Sequence, residues 1–161
     1  MSPNIGIPDG HRSAVAQLLN VLLADEYVLY TKTRKYHWNV IGPQFHDLHL
    51  FFEQQYGQLD EVIDDVAERA RTLGGSALGT LIEFQQRARL TEQPGVYPPA
   101  KEMVTGLLAD HEALFRQLRQ DVADCDDKYF DVGSSDFLTG LLERHEKMAW
   151  MLRAFLETPR G

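Results

Sequence analysis

The sequence predicts an all-α fold: four long amphipathic helices packed as one bundle, with a short extra helix in the connection between the second and third. Three observations predict it. Apolar residues recur at three- and four-residue intervals along four stretches. No stretch alternates apolar and polar residues as a half-buried strand would. The strongest breakers, Gly42-Pro43, Gly74-Gly75, Pro94-Gly95 and Pro98-Pro99, all fall between those stretches. A length of 161 residues suits one domain with a core large enough to fold unaided, so residues 1–161 are expected to form a single unit.

The first helix, expected over about 11–38, carries Val15, Leu18, Leu19, Leu22, Tyr27, Tyr30, Thr33 and Tyr36 on its stripe and stops near Asn39. The second, over about 45–73, runs through Leu48, Phe52, Gln55, Tyr56, Leu59, Val62, Ile63, Val66, Ala70 and Leu73 until Gly74-Gly75 ends it. From about 76 to 99 the pattern weakens to a crossover with room for one short helix between Leu78 and Leu90. Met103, Val104, Leu107, Leu108, His111, Leu114, Phe115, Leu118 and Val122 place the third helix over about 100–125, closing in the acidic stretch Asp124 to Asp131. The fourth, over about 135–157, has Ser134 or Ser135 as cap and Phe137, Leu138, Leu141, Leu142, His145, Met148, Leu152 and Phe155 as stripe. Two helix pairs joined by one long connection is the crossover type of bundle rather than the short-looped type.

Charge and cysteine content narrow the partners. Sixteen Lys and Arg against 24 Asp and Glu leave a net charge of -8, which repels phosphate backbones and attracts metal cations. Cys125 is the single cysteine, so an intrachain disulfide and a thiolate zinc cluster are both excluded and a reducing cytoplasm is the expected location. Neither a basic-then-apolar leader nor a long uncharged apolar run occurs, so no membrane association is expected.

Potential metal ligands gather on one part of the chain: His37 at the end of the first helix, then His49, Glu53, Asp64 and Glu68 on the second. Imidazole with carboxylate is the donor set of iron, manganese or zinc in a site with open positions. His49 and Glu53 are four residues apart and share a helix face, as are Asp64 and Glu68. Between the pairs lies roughly 22 Å of helix, whereas a bond to such a metal is about 2 Å long, so one copy of the helix cannot bring both pairs to one ion. At about 100° per residue, the apolar seam centres on Leu59, and Glu53, Asp60, Asp64 and Glu68 point roughly 100–180° away from it. A two-fold axis crossing near Gly57 or Gln58 would lay two copies antiparallel, with His49 and Glu53 of one beside Asp64 and Glu68 of the other. Gly57 lies on that outward face, where it costs a helix about 1 kcal/mol against alanine but lets two backbones approach. Outward carboxylates are ordinarily a solvated face, and single histidines are ordinarily packed or hydrogen-bonded. Spacing alone leaves that reading open beside the shared site.

The run Tyr36-His37-Trp38-Asn39-Val40, then Gly42-Pro43, Phe45, Leu48-His49, Phe52-Glu53, Tyr56, Asp64-Asp65-Val66-Ala67-Glu68-Arg69 and Leu73-Gly74 resembles the signature of the Dps family. These are the miniferritins, also called DNA-binding proteins from starved cells. The similarity continues through Asp110-His111-Glu112, Asp136-Phe137-Leu138-Thr139 and the segment from His145 to Leu152, so it spans nearly the whole chain. The resemblance implies a ferritin-like bundle, twelve of which close into a hollow dodecameric shell. It implies a ferroxidase that oxidises ferrous iron, preferentially with hydrogen peroxide, between two-fold neighbours, stores the ferric mineral inside and protects against oxidative damage. By position its ligands fall on His37, His49 and Glu53 of one subunit and on Asp64 and Glu68 of the neighbour. Zinc is an expected alternative occupant.

Residues around this set have blander readings. Trp38 is expected to pack in a core or interface. His46 is expected to be exposed, with an extra ligand or a hydrogen bond to a ligand as its alternative. His111 and His145 sit within apolar stripes and are expected to be satisfied core or interface residues. The family lines an ion-entry pore with aspartates from the region before the last helix, which places Asp131 and Asp136 as pore residues here; such a ring concentrates cations. Family members that bind DNA generally use a lysine-rich tail, yet Met1 to Gly10 holds no Lys or Arg and the last residues offer only Arg160, so DNA binding is not expected. The competing functions are a zinc-buffering cage with little turnover and a DNA-compacting scaffold.

Overall fold

Five α-helices and one π-helical segment make up the computed structural model, which describes residues 3–157, and no strand occurs among those residues. α1 spans Asp9–Asn39, α2 Phe45–Thr72, α3 Leu81–Arg87, α4 Ala100–Ala123 and α5 Val132–Leu156; the π-helical segment Asp124–Lys128 continues α4 directly. α1 packs along α2, α4 along α5, and α3 against α1. The two pairs are joined by one long crossover, as the periodicity predicts. No helix among the described residues is long and apolar enough to cross a membrane.

The stripe of α2 is buried where the 3.6-residue period places it, at Leu48, Phe52, Gln55, Leu59, Val62, Val66 and Ala70. The apolar ones among them feed two clusters. One surrounds Leu19, Val62, Leu118 and Leu141, the other Leu29, Phe52, Leu107 and Leu152. Gly74 ends α2 at φ 87°, a conformation only glycine adopts freely, and the N–H groups of Gly74 and Gly75 close on the carbonyls of Arg71 and Ala70.

The crossover is fastened at two places. Thr80 and Glu83 form a reciprocal capping box that starts α3, and the buried Phe84 stacks on Tyr27 of α1 at 4.3 Å. Further on, Asp25 of α1, only 1% exposed, accepts from the Arg89 and Leu90 N–H groups at 2.6 and 3.0 Å and from Arg89 Nε at 2.7 Å. The same guanidinium lies 3.9 Å from Asp121 of α4, whose carboxyl burial pushes above the ordinary carboxylate range.

Two boundaries differ from expectation. α4 gives way at Ala123 to a wider turn in which the Tyr129 N–H reaches back five residues to the Asp124 carbonyl at 3.0 Å. α5 then starts three residues early, at Val132, because Asp131 rather than Ser134 or Ser135 is its cap. The Asp131 carboxylate accepts from the Ser134 N–H at 3.0 Å and from its hydroxyl at 2.5 Å.

Candidate metal centre

The candidate centre lies where α1 hands the chain to α2. Val40 leaves the helix extended, Gly42 turns at φ 109°, and Phe45 N–H closes the turn on the Gly42 carbonyl at 3.0 Å. His37 and His49 are thereby brought face to face, with ring centroids 3.8 Å apart and planes 19° from parallel. Each imidazole bonds to the other residue's backbone: His37 Nδ1 donates to the His49 carbonyl at 2.8 Å and His49 Nδ1 to the His37 carbonyl at 2.9 Å. A carbonyl oxygen only accepts, so both protons sit on Nδ1 and both Nε2 lone pairs remain for a cation.

Aromatic neighbours hold the pair. Tyr56 stands edge-on to the His37 ring at 5.3 Å, and Phe45 lies 5.2 Å from the His49 ring. Arg34 places its guanidinium 4.9, 5.3 and 5.5 Å from the rings of Trp38, Tyr56 and Tyr30, and donates to the Tyr30 hydroxyl at 2.8 Å. It forms no ion pair among the described residues. Sequence reading missed Arg34; its one signal was a cation within a turn of His37 on a stripe of aromatics.

Glu53 follows His49 by one turn of α2, exposed, with a carboxylate that makes no bond among the described residues. Asp64 and Glu68 are likewise exposed and unbonded among the described residues, about three and four turns beyond Glu53. No three potential metal ligands of one chain converge among the described residues. One copy therefore brings together His37 and His49, places Glu53 one turn further along α2, and leaves Asp64 and Glu68 at a distance. Gly57, between the two groups, is exposed, and a Cβ there would meet nothing within 4 Å.

The remaining expected residues are placed as follows. Trp38 is 63% exposed under the Arg34 guanidinium, so it is not a core residue of its own chain. His46 is exposed. Asp136 faces outward from the first turns of α5, whereas Asp131 is 2% exposed and held by Ser134 and by Arg69 at 3.2 Å. Arg160 lies outside the described residues.

Comparison with known proteins decides the family. The ferritin-like domain matches over residues 16–161. DNA protection during starvation protein 2 of Bacillus anthracis is 38% identical over 144 residues, covering 88% of this chain and 96% of that protein. The chain belongs to the Dps family of miniferritins. A low temperature-induced protein of Nostoc, described as uncharacterized, is 52% identical over 154 residues, 96% of this chain and 86% of its own length. Among solved structures, DpsC from Streptomyces coelicolor superposes with a TM-score of 0.94 at 31% identity, covering 100% of this chain and 94% of that one. The Vibrio cholerae Dps protein, described as a member of a broad superfamily of ferritin-like diiron-carboxylate proteins, gives 0.89 at 31% identity, covering 98% of each chain. Dps membership accounts for the crossover bundle.

Proposed function

We propose that this miniferritin assembles as a hollow dodecameric cage and oxidises ferrous iron at centres shared between two-fold neighbours. His37, His49 and Glu53 come from one subunit, and Asp64 and Glu68 from the next. The reading rests on one observation: the mutual lock of His37 and His49 presents two Nε2 atoms, while the unbonded carboxylates of Asp64 and Glu68 lie beyond the reach of an ion bound to that pair. An antiparallel contact of two α2 helices across Gly57 closes the distance, and the open space at Gly57 permits it. The description of the Vibrio relative as a diiron-carboxylate protein supports iron as substrate.

The residues divide the work by charge. Neutral imidazoles hold the ferrous ion, and the three carboxylates stabilise the ferric product, so the site favours loss of an electron. Two ferrous ions passing two electrons to one hydrogen peroxide, with two protons, give two ferric ions and two waters and release no hydroxyl radical. Peroxide is the proposed oxidant and a ferric mineral the proposed stored product. Asp136 serves iron entry as an outward carboxylate, and Asp131 supports it by fixing the first turn of α5. In this reading the protein works in the cytoplasm and leaves DNA unbound, as a net charge of -8 opposes a phosphate backbone.

Stopped-flow absorbance after mixing ferrous iron and peroxide with the protein tests this reading. Oxidation faster than in protein-free buffer is expected, and its absence would favour a zinc-buffering cage. Replacing His37 and His49 together with Ala should suppress the rate without loss of the cage on size exclusion. Asp64→Asn should do the same, and subunit exchange between the two variants should restore a fraction of the activity. No recovery after confirmed exchange would refute ligands drawn from two chains.

A further inference from the structure

Away from the metal centre, three helices bring a carboxylate and two imidazoles into the middle of the bundle: Glu26 of α1, His111 of α4 and His145 of α5, each 0% exposed. The expectation of satisfied core histidines holds only in part. His145 Nε2 lies 2.8 Å from Glu26 Oε1, and the Nδ1 atoms of the two histidines face each other at 3.0 Å. Glu26 Oε2 and His111 Nε2 are buried with no hydrogen-bond partner among the described residues. The triad is a polar tie between the first helix pair and the second.

The two contacts fix two protons, since each needs one hydrogen between its heavy atoms. With those alone both imidazoles are neutral and the carboxylate leaves the cluster at minus one. Among the described residues Glu26 has no salt-bridge partner besides His145. α2 and α3 bury no ionisable side chain. α5 buries none besides His145. On α1, Arg12 is held by Asp9 and the Leu73 carbonyl, and Asp25 by Arg89. Tyr36 is raised by burial and stays neutral, and His37 belongs to the metal centre. On α4, Asp110 is bound to Lys32 and Asp121 to Gln117. A lone ionised carboxylate without exposure is among the least tolerable groups in a protein interior.

We infer that Glu26, His111 and His145 form a buried binding site for one proton, which is taken up when the two helix pairs close on each other. The third proton brings the cluster to zero net charge and belongs to the coupled set rather than to any one residue. Burial and the adjacent His145 push His111 well below the ordinary histidine range, which keeps that proton toward the His145 and Glu26 end. The unfolded chain holds it on neither imidazole above about pH 6.5. The native state therefore binds one proton more, and its stability falls as pH rises, by about tenfold in the folding constant per pH unit. Cys125, pushed up to about 12 by burial, adds nothing in that window.

Solid-state NMR of the assembled protein, labelled with 15N-histidine and 13C-glutamate, counts the protons directly at about pH 7.5. Three protons on the triad are expected: either His145 carries both N–H groups or Glu26 is protonated. Two protons with an ionised Glu26, or ring nitrogens bound to a metal, would overturn the site. Denaturant unfolding between about pH 7 and pH 9 adds a second reading, in which the wild-type folding constant falls about tenfold per pH unit more steeply than that of Glu26→Gln. Equal slopes would also overturn it. The spectrum of the unaltered protein decides the question even where Glu26→Gln fails to fold.

Discussion

Arg89→Met tests how the crossover is held to the bundle. In the native chain Asp25 is buried and takes two backbone N–H bonds and the Arg89 guanidinium. Methionine preserves much of the stem and both backbone donors but removes the cation. Breaking a fully buried ion pair from one side costs about 3–5 kcal/mol. Here the Arg89 side chain is 36% exposed against 2% for Asp25, so water screens part of the pair and two N–H groups still serve the carboxylate. The loss should be about 2 kcal/mol, which for a chain of this size lowers Tm by about 4–8 °C. Far-UV circular dichroism at fixed protein concentration measures it, in wild type, Arg89→Met, Asp25→Asn and the double variant. The double variant should lose about 1 kcal/mol less than the sum of the singles, because the amide needs no cation. A Tm drop under about 1 °C, or strict additivity, would show that solvent rather than Arg89 sustains the Asp25 charge.

Gly57→Leu should leave the subunit folded and its helix more stable by about 0.5–1 kcal/mol, yet prevent assembly; native mass spectrometry returning a full cage would refute close approach there. Arg34→Leu should lower stability by about 1 kcal/mol in chemical denaturation, and Arg34→Lys should recover little, since an ammonium cannot cover three rings and bond Tyr30 together. Equal stability of all three proteins would remove the aromatic cage as a stabilising element. On acidification, His111 resists the proton that the unfolded chain accepts near pH 6.5. Its contribution is intact above that pH and lost below it, so the denaturation midpoint should drop between about pH 6.5 and 5. His111→Gln should flatten that drop, and a wild-type profile already flat would contradict the burial.

Helix existence was legible in the sequence because each long helix must bury one stripe, and stripes such as Leu48 to Ala70 leave no alternative period. The outward face of α2 was legible for the same reason. The start of α5 was not. Asp131, Ser134 and Ser135 are all competent caps, and the five-residue turn at Asp124 shifts the register that would have chosen among them. Periodicity also could not show that His37 and His49 would bond to each other's backbone, because that depends on the turn at Gly42. Glu26 was the clearest missed signal: the pair Asp25-Glu26 interrupts the apolar run from Val21 to Ala24, and an acid there must find a partner in the core.

The crossed bonds of His37 and His49 bear on kinetics as well as affinity. Flipping either ring would sacrifice a backbone bond and the stacking between the rings, so neither imidazole samples many other poses. In the proposed centre an arriving hydrated ion therefore has mainly its own water shell to shed, and the speed of capture should follow the water-exchange rate of the metal rather than any motion of the polypeptide.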